Sequence, residues 1–379
     1  MLPKFYQTHL QSQLAATEYL FLSILITILQ SVKKVNLEAL ATALPIPITF
    51  ESRRKKLQRF LLSPNFTITK LWLPLIATWL EMYIKEGKTI YIALDRTTWG
   101  CINILMVAVI WHQRAIPVYF ELLPKLGNSN LEEQKAIISK VIPIFKNYKV
   151  CVLGDREFCS IKLADWLWEQ QMDFCLRLKK SHYVEKENNI WVELGALGLH
   201  PGISMFLQGV KITKTKNVRS FNLACKWRRD NLDVTQKEGW FILTNLKLKT
   251  AIASYKKRFG IEEMFRDFKK GGYNLEATKV SEERLISLVL LIAFAYTSAT
   301  INGQTMKQQG IQKYVGLVQE PGRTERRHSS FYIGLYGQTW VDFVSSCRDL
   351  VEELLSLSPH KLGYYQRGKR AMRLIMATS

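Results

Sequence analysis

Hydrophobic and polar positions change their period along the 379-residue chain, and those changes mark out its elements. Residues 1–88 carry long stretches of helical periodicity, interrupted at Pro45, Pro47 and Pro64. Asn36 followed by Leu-Glu-Ala-Leu-Ala-Thr-Ala-Leu44 predicts a short packed helix with a capping Asn. A turn with two prolines follows, and Glu51 to Phe60 predicts a second helix, with Leu57 and Phe60 inward. From Lys88 the texture turns to strands. Thr89-Ile-Tyr-Ile-Ala-Leu-Asp95 reads as a buried strand ending in a carboxylate, and Ile102–Trp111 and Ala115–Leu122 continue as an antiparallel meander. Asn130 to Phe145 has helical periodicity, an N-cap Asn and two acidic residues in its first turn. Lys149-Val-Cys-Val-Leu-Gly-Asp155 is again an apolar strand with an Asp at its end; a helix over 160–171 and a strand over 174–178 follow.

Residues 181–245 alternate short β-like runs with turn residues, as in Ile190-Trp-Val-Glu and Trp240-Phe-Ile-Leu-Thr244, and predict a β-rich insertion. Leu248–Lys270 predicts one helix, and 282–300 an apolar helix expected to pack under the sheet. The order predicts an α/β fold with a mixed sheet covered by helices. Its expected parts are a helical N-terminal domain (1–88), a core formed by 89–180 and 246–301, the β-rich insertion (181–245), and a basic C-terminal region (302–379). The apolar stretches Tyr19–Gln30 and Leu285–Ala299 fall short of the roughly 18 to 20 apolar residues that a membrane span needs, and the N-terminus does not read as a signal peptide. No membrane partner and a cytoplasmic, nucleoid-associated protein are expected.

Charge changes the picture. Lys and Arg number 53 against 32 Asp and Glu, a formal net of +21, which favours polyanionic partners and salt-sensitive DNA binding. A ribosome-associated or membrane-surface protein shares that trait. In the second N-terminal helix, Arg53, Arg54, Lys55, Lys56 and Arg59 form either a DNA-facing surface or a solvated charged face. Further basic clusters are Arg323, Arg326 and Arg327, and Arg367, Lys369, Arg370 and Arg373. The six cysteines lie far apart without zinc-ligand spacing, and most sit in apolar runs as small core residues.

Candidate chemistry rests on carboxylates. Asp95 and Asp155 at the ends of two buried strands can meet at one sheet edge and share a hard cation. A lone strand-end Asp is more often a turn or cap residue; two in so basic a chain point further. A third carboxylate from the helix after the insertion would complete a two-metal site. Tyr255, Arg258, Glu262 and Lys269 lie 0, 3, 7 and 14 positions along that helix, within about 60° of one another at roughly 100° per residue. Glu262 can then face the metal while Tyr255, Arg258 and Lys269 reach outward to phosphates; Glu263 and Asp267 are off the stripe.

The spacing Tyr-x2-Arg-x3-Glu-x6-Lys resembles the signature of the insertion-sequence-four family of bacterial transposases, matched by Tyr255, Arg258, Glu262 and Lys269. The segments Asp95-Arg-Thr-Thr98 and Asp155-Arg-Glu157 are similar to that family's blocks around its two catalytic aspartates, so the resemblance covers roughly residues 85–300. It implies a ribonuclease-H-like core with an insertion between the second Asp and the Glu. It also implies metal-dependent cleavage and strand transfer of DNA with Asp95, Asp155 and Glu262 as ligands of two Mg2+ or Mn2+ ions. The partners would be double-stranded terminal repeats and target DNA, and a homodimer on paired ends. Trp240 occupies a position similar to a base-holding Trp in relatives that form hairpin ends; its other reading is a core aromatic. No Walker-type loop is present, so the energy would come from phosphodiester exchange. The rival readings are a ribonuclease-H-like nuclease without strand transfer, an inactive DNA-binding derivative, and a structural basic protein.

Overall fold

The computed structural model describes residues 2–186, 189–214, 219–227, 239–280, 282–319, 321 and 327–378. Arg323 and Arg326 of the first C-terminal basic cluster lie outside the described residues. The chain divides into two compact units, one of Leu80–Phe265 and one of Met1–Trp79 with Arg266–Ser379.

The N-terminal part of the helical unit begins with α1 (Lys4–Gln13), α2 (Ala16–Val32), α3 (Leu37–Ala43) and α4 (Phe50–Leu61), followed by a π-helical turn over Ile68–Trp72 and α5 (Leu73–Tyr83). The expected Asn36 cap is present, its side chain accepting from Ala39 N at 2.8 Å. Thr49 caps α4 in the same way, which starts that helix directly after the double-proline turn.

In the sheet unit, β1 (Thr89–Trp99), β2 (Ile102–Trp111) and β3 (Arg114–Leu122) form the predicted meander. Then come α6 (Leu131–Val141), β4 (Lys149–Gly154), α7 (Ile161–Glu169), β5 (Asp173–Arg177), a small hairpin of β6 (Tyr183–Glu185) and β7 (Trp191–Glu193), β8 (Ser204–Val210), β9 (Phe221–Lys226) and β10 (Trp240–Thr244). Helices α8 (Leu248–Lys257) and α9 (Phe259–Phe268) close the series. The strand order β3-β2-β1-β4-β5-β10-β9-β8 is mixed: β1, β4 and β5 run parallel to their neighbours among themselves, and the remaining pairs are antiparallel. This is the ribonuclease-H-like sheet that the resemblance implied. β2 is buried continuously from Asn103 to Ile110, as befits a strand covered on both faces. α6 begins with the expected Asn130 cap, completed to a capping box in which Asn130 and Glu133 each accept from the other's backbone amide at 2.9 and 2.7 Å.

Three strands of the 181–245 stretch join this sheet. β10 pairs with β5 through Ile242, Leu243 and Thr244, and β9 and β8 extend the edge. The buried Thr244 hydroxyl donates to Phe174 O at 2.6 Å and helps fix that junction. Only β6 and β7 form a separate two-stranded sheet among the described residues.

The chain returns to the helical unit with α10 (Glu282–Gln308), α11 (Gln312–Val315), α12 (Ser330–Ser346), α13 (Arg348–Ser356) and α14 (Leu362–Thr378). α10 is long and apolar enough to cross a membrane, yet 94% of its most apolar window is buried. Within its unit it packs against α2, α4, α12 and α14, so its apolar surface serves a helical core where the sequence suggested a sheet. The crossing with α12 depends on glycine: a Cβ on Gly303 would lie 1.8 Å from Ser330 O, and one on Gly334 1.8 Å from Ala299 O. Cys151, Cys175 and Cys225 are buried and unpaired, in keeping with their reading as core residues.

Candidate active site

Parallel pairing of β1 and β4 ends at Leu94 opposite Gly154, so Asp95 and Asp155 are the next residues on neighbouring strands. Asp95 is not the end of its strand, as the sequence suggested. β1 runs on to Trp99 because its hairpin partner β2 keeps pairing past it, with Asp95 opposite Met106. Asp155 does leave the sheet and caps the tight turn Arg156–Phe158, its Oδ1 accepting from Glu157 N at 2.8 Å. Gly154 makes that turn possible: a Cβ there would sit 2.8 Å from Phe158 Cβ and 3.0 Å from the Leu176 side chain.

Glu262 arrives on α9. The predicted single helix tightens at Arg258, whose amide turns back to Tyr255 O in an i→i−3 bond, but the backbone stays in the αR region and Arg258 still meets both Tyr255 and Glu262. α9 is held beside the sheet by Gly260, where a Cβ would meet Arg114 carbonyl carbon at 3.2 Å, and by Arg114 Nη1 donating to Glu263 Oε2 at 2.7 Å. Arg258, expected to reach outward, is 5% exposed and turns inward. Its guanidinium donates to Asp95 Oδ2 at 3.2 Å and, through the other terminal nitrogen, to Glu262 Oε1. The Arg258 side chain thus lies between two carboxylates.

Asp95 is the electrostatically stressed member. Burial pushes its carboxyl up to about 7; Arg258 opposes the rise, and the nearby charges of Asp155 and Glu262 add to it. For Arg258, burial works against the charge, but Tyr255, Glu262 and Asp95 outweigh it and move the pKa up. The donor set of Asp95, Asp155 and Glu262 is all oxygen and negatively charged, and a cationic guanidinium stands between two of its members, which fits a hard divalent cation. Among the described residues, no three His, Cys, Asp or Glu side chains are grouped as a metal would hold them.

The other anticipated residues fall into different places. Tyr255 is fully buried, with its ring edge-on to Trp240 at 5.1 Å, so it does not reach outward. Trp240 is 7% exposed and also packs against Phe259 at 6.1 Å, the position of a core aromatic. Lys269 follows the end of α9, belongs to the helical unit, and pairs with Glu276 at 3.0 Å. On α4, Arg53 donates to Leu44 O at 3.4 Å and Arg54 pairs with Glu38 at 3.3 Å, while Lys55, Lys56 and Arg59 are exposed. The charged-face reading thus holds more of Arg53 and Arg54 than the DNA-facing one.

Sequence reasoning assigned no role to Arg96 and Glu157, although both stand in the quoted blocks. Arg96 Nε contacts both Glu157 carboxylate oxygens at 3.0 Å, with the two side chains 15% and 12% exposed. Their signal was adjacency to the two aspartates; their pairing depends on the parallel register, which no local pattern reveals.

Asp95 and Asp155, each following the last paired residue of two parallel strands, with Glu262 joined to Asp95 through Arg258, make an arrangement suited to phosphoryl transfer. Residues 128–298 match the family described as Transposase DDE domain; the match takes in Asp155 and Glu262, and Asp95 lies ahead of it. Among solved structures, the chain is similar to a piggyBac transposase synaptic complex with hairpin DNA, determined by cryo-EM. That likeness has a TM-score of 0.47 and 12% identity, covering 91% of this chain and 78% of that one. No curated protein gives a significant sequence match.

Proposed function

We propose that the protein is a DNA transposase of the Asp-Asp-Glu type, resembling the insertion-sequence-four family, that cuts DNA at element ends and joins them to target DNA. One observation carries the reading: Arg258 ties Glu262, inside the stretch matching a transposase DDE domain, to Asp95 ahead of that stretch, beside Asp155. Asp95, Asp155 and Glu262 would hold two Mg2+ or Mn2+ ions, which when bound supply Lewis-acid activation of the attacking and leaving oxygens. With ions bound, Arg258 would give up Asp95 and Glu262, and its guanidinium would be free to pair with a phosphate. Burial of Asp95 keeps bulk water from screening this charge exchange. Lysines and arginines would bind the DNA backbone, and a homodimer would bring two ends together.

The test is cleavage and joining of end DNA in Mg2+ or Mn2+. Asp95→Ala, Asp155→Ala and Glu262→Ala should each reduce cleavage by several orders of magnitude while end binding persists, because affinity comes from Lys and Arg. A variant that cuts at the wild-type rate removes its residue from the ligand set. Cleavage without joined products in the wild type would make the protein a nuclease.

A further inference from the structure

We infer that Arg96 and Glu157 are positioning residues: their half-buried ion pair is a clamp that sets the two aspartates for metal binding. The inference rests on the proposed function and adds a pair of residues to it. Arg96 directly follows Asp95, and its backbone amide donates to Asp95 Oδ1 at 2.7 Å. Glu157 lies two residues after Asp155, and its amide donates to Asp155 Oδ1 at 2.8 Å. The two residues whose amides orient the two carboxylates are therefore joined to each other by their own side chains, across two neighbouring strands.

Other bonds anchor the clamp. Glu157 Oε1 also accepts from Ser129 N and Oγ, both at 2.9 Å, and the buried Gln134 side chain donates to Ser129 O and Oγ at 3.2 and 3.1 Å. Arg96 Nη1 donates to Asn103 Oδ1 at 2.9 Å and Nη2 to Asn128 Oδ1 at 3.2 Å. Asn103, 1% exposed, donates in turn to Lys125 O and Gly127 O at 2.7 and 3.0 Å. The loop after β3 is thus knotted to the strands that carry both aspartates. The network also explains why Glu157, a carboxylate so close to Asp155, is not counted among the metal ligands: its oxygens are committed to Arg96 and Ser129. Loss of the Glu157 charge would leave the half-buried Arg96 without its counter-ion and free both amides to drift. Groups that orient metal ligands from behind change metal affinity about 10- to 100-fold when removed.

The experiment measures Mn2+ binding to the full-length, DNA-free protein by calorimetric titration, well below the melting temperature, for wild type, Glu157→Gln and Glu157→Asp. Melting temperature in EDTA, end-DNA binding and the metal dependence of cleavage accompany it. Glu157→Gln is expected to raise the Mn2+ half-saturation at least about 10-fold, with cleavage recovered at high Mn2+ and end binding kept. Glu157→Asp, which retains the charge on a shorter arm, should fall between, and remains informative if the Gln variant does not fold. A lowered melting temperature with an unchanged Mn2+ midpoint in the folded variants would reduce the pair to a stabilising contact and overturn the inference. Absence of Mn2+ binding by the wild type would instead overturn the transposase reading and the inference with it.

Discussion

Asp95 concentrates the conflict at the candidate site. Its carboxyl is pushed up to about 7 chiefly by burial, against the pull of Arg258, and reinforced by Asp155 and Glu262. Without divalent ions, the folded state therefore binds a proton that the unfolded chain has released near pH 4. The corresponding stability is fully present below the unfolded pKa and disappears as pH rises through about 7. In EDTA, the melting temperature of the wild type should fall relative to that of Asp95→Asn between pH 5 and 8. Mn2+ should raise the wild-type value more at pH 8 than at pH 5.5, since the ion must displace that proton. Parallel melting profiles for the two proteins in EDTA would show that Asp95 does not carry the strain. Trp240 belongs at this scale too. Its contacts with Tyr255 and Phe259 are those of a packed aromatic, and its sequence position alone left that role and base holding equally open.

Elements show where sequence was informative and where it was not. Short apolar runs bounded by turns located β1, β2, β3, β4 and β10, and the caps at Asn36 and Asn130 were legible because capping is a local bond. Asp95 and Asp155 were found because each follows an apolar strand. The tightening between α8 and α9 was not legible: no proline marks it, and it depends on a turn at Arg258 and on the close seat of Gly260 against Arg114. The stripe argument put Arg258 and Glu262 on one face, where their side chains do meet, but it sent Arg258 and Tyr255 outward and both are buried. The joining of β8, β9 and β10 to the core sheet was equally hidden, being a long-range pairing of β10 with β5. On α4 the structure redistributes the basic residues that sequence grouped together. Arg54 is tied to Glu38, whereas Arg59 and Lys55 project from the exposed face. If that face meets DNA, Arg59→Ala should weaken binding and lower the salt slope by about 1, whereas Arg54→Ala should change it less. Equal slopes for wild type and both variants, from salt titrations of end binding, would leave α4 a solvated helix.

At the scale of the whole molecule, a net charge of +21 favours polyanionic partners, and under the proposed function it would govern how DNA is met. The charge is spread over distant parts of the chain: exposed Arg367, Lys369, Arg370 and Arg373 on α14, and Lys55, Lys56 and Arg59 on α4. Arg258, by contrast, is buried and committed to Asp95 and Glu262. Under the proposed function, affinity and chemistry draw on different residues, and they should separate by experiment. Binding to double-stranded DNA that engages about 6 to 10 phosphates loses roughly 10³ to 10⁵ in affinity between about 50 and 200 mM salt. The wild type should fall in that range. Asp95→Ala should show the same slope, because removing a buried carboxylate changes no phosphate contact. Joint replacement of Arg367, Lys369 and Arg370 by Ala should flatten the slope if α14 touches DNA, at little cost in melting temperature, since exposed charges contribute little to stability. An affinity indifferent to salt would mean that the basic surface is not what holds DNA. A flattened slope in Asp95→Ala would mean that the carboxylate site and the binding surface are one.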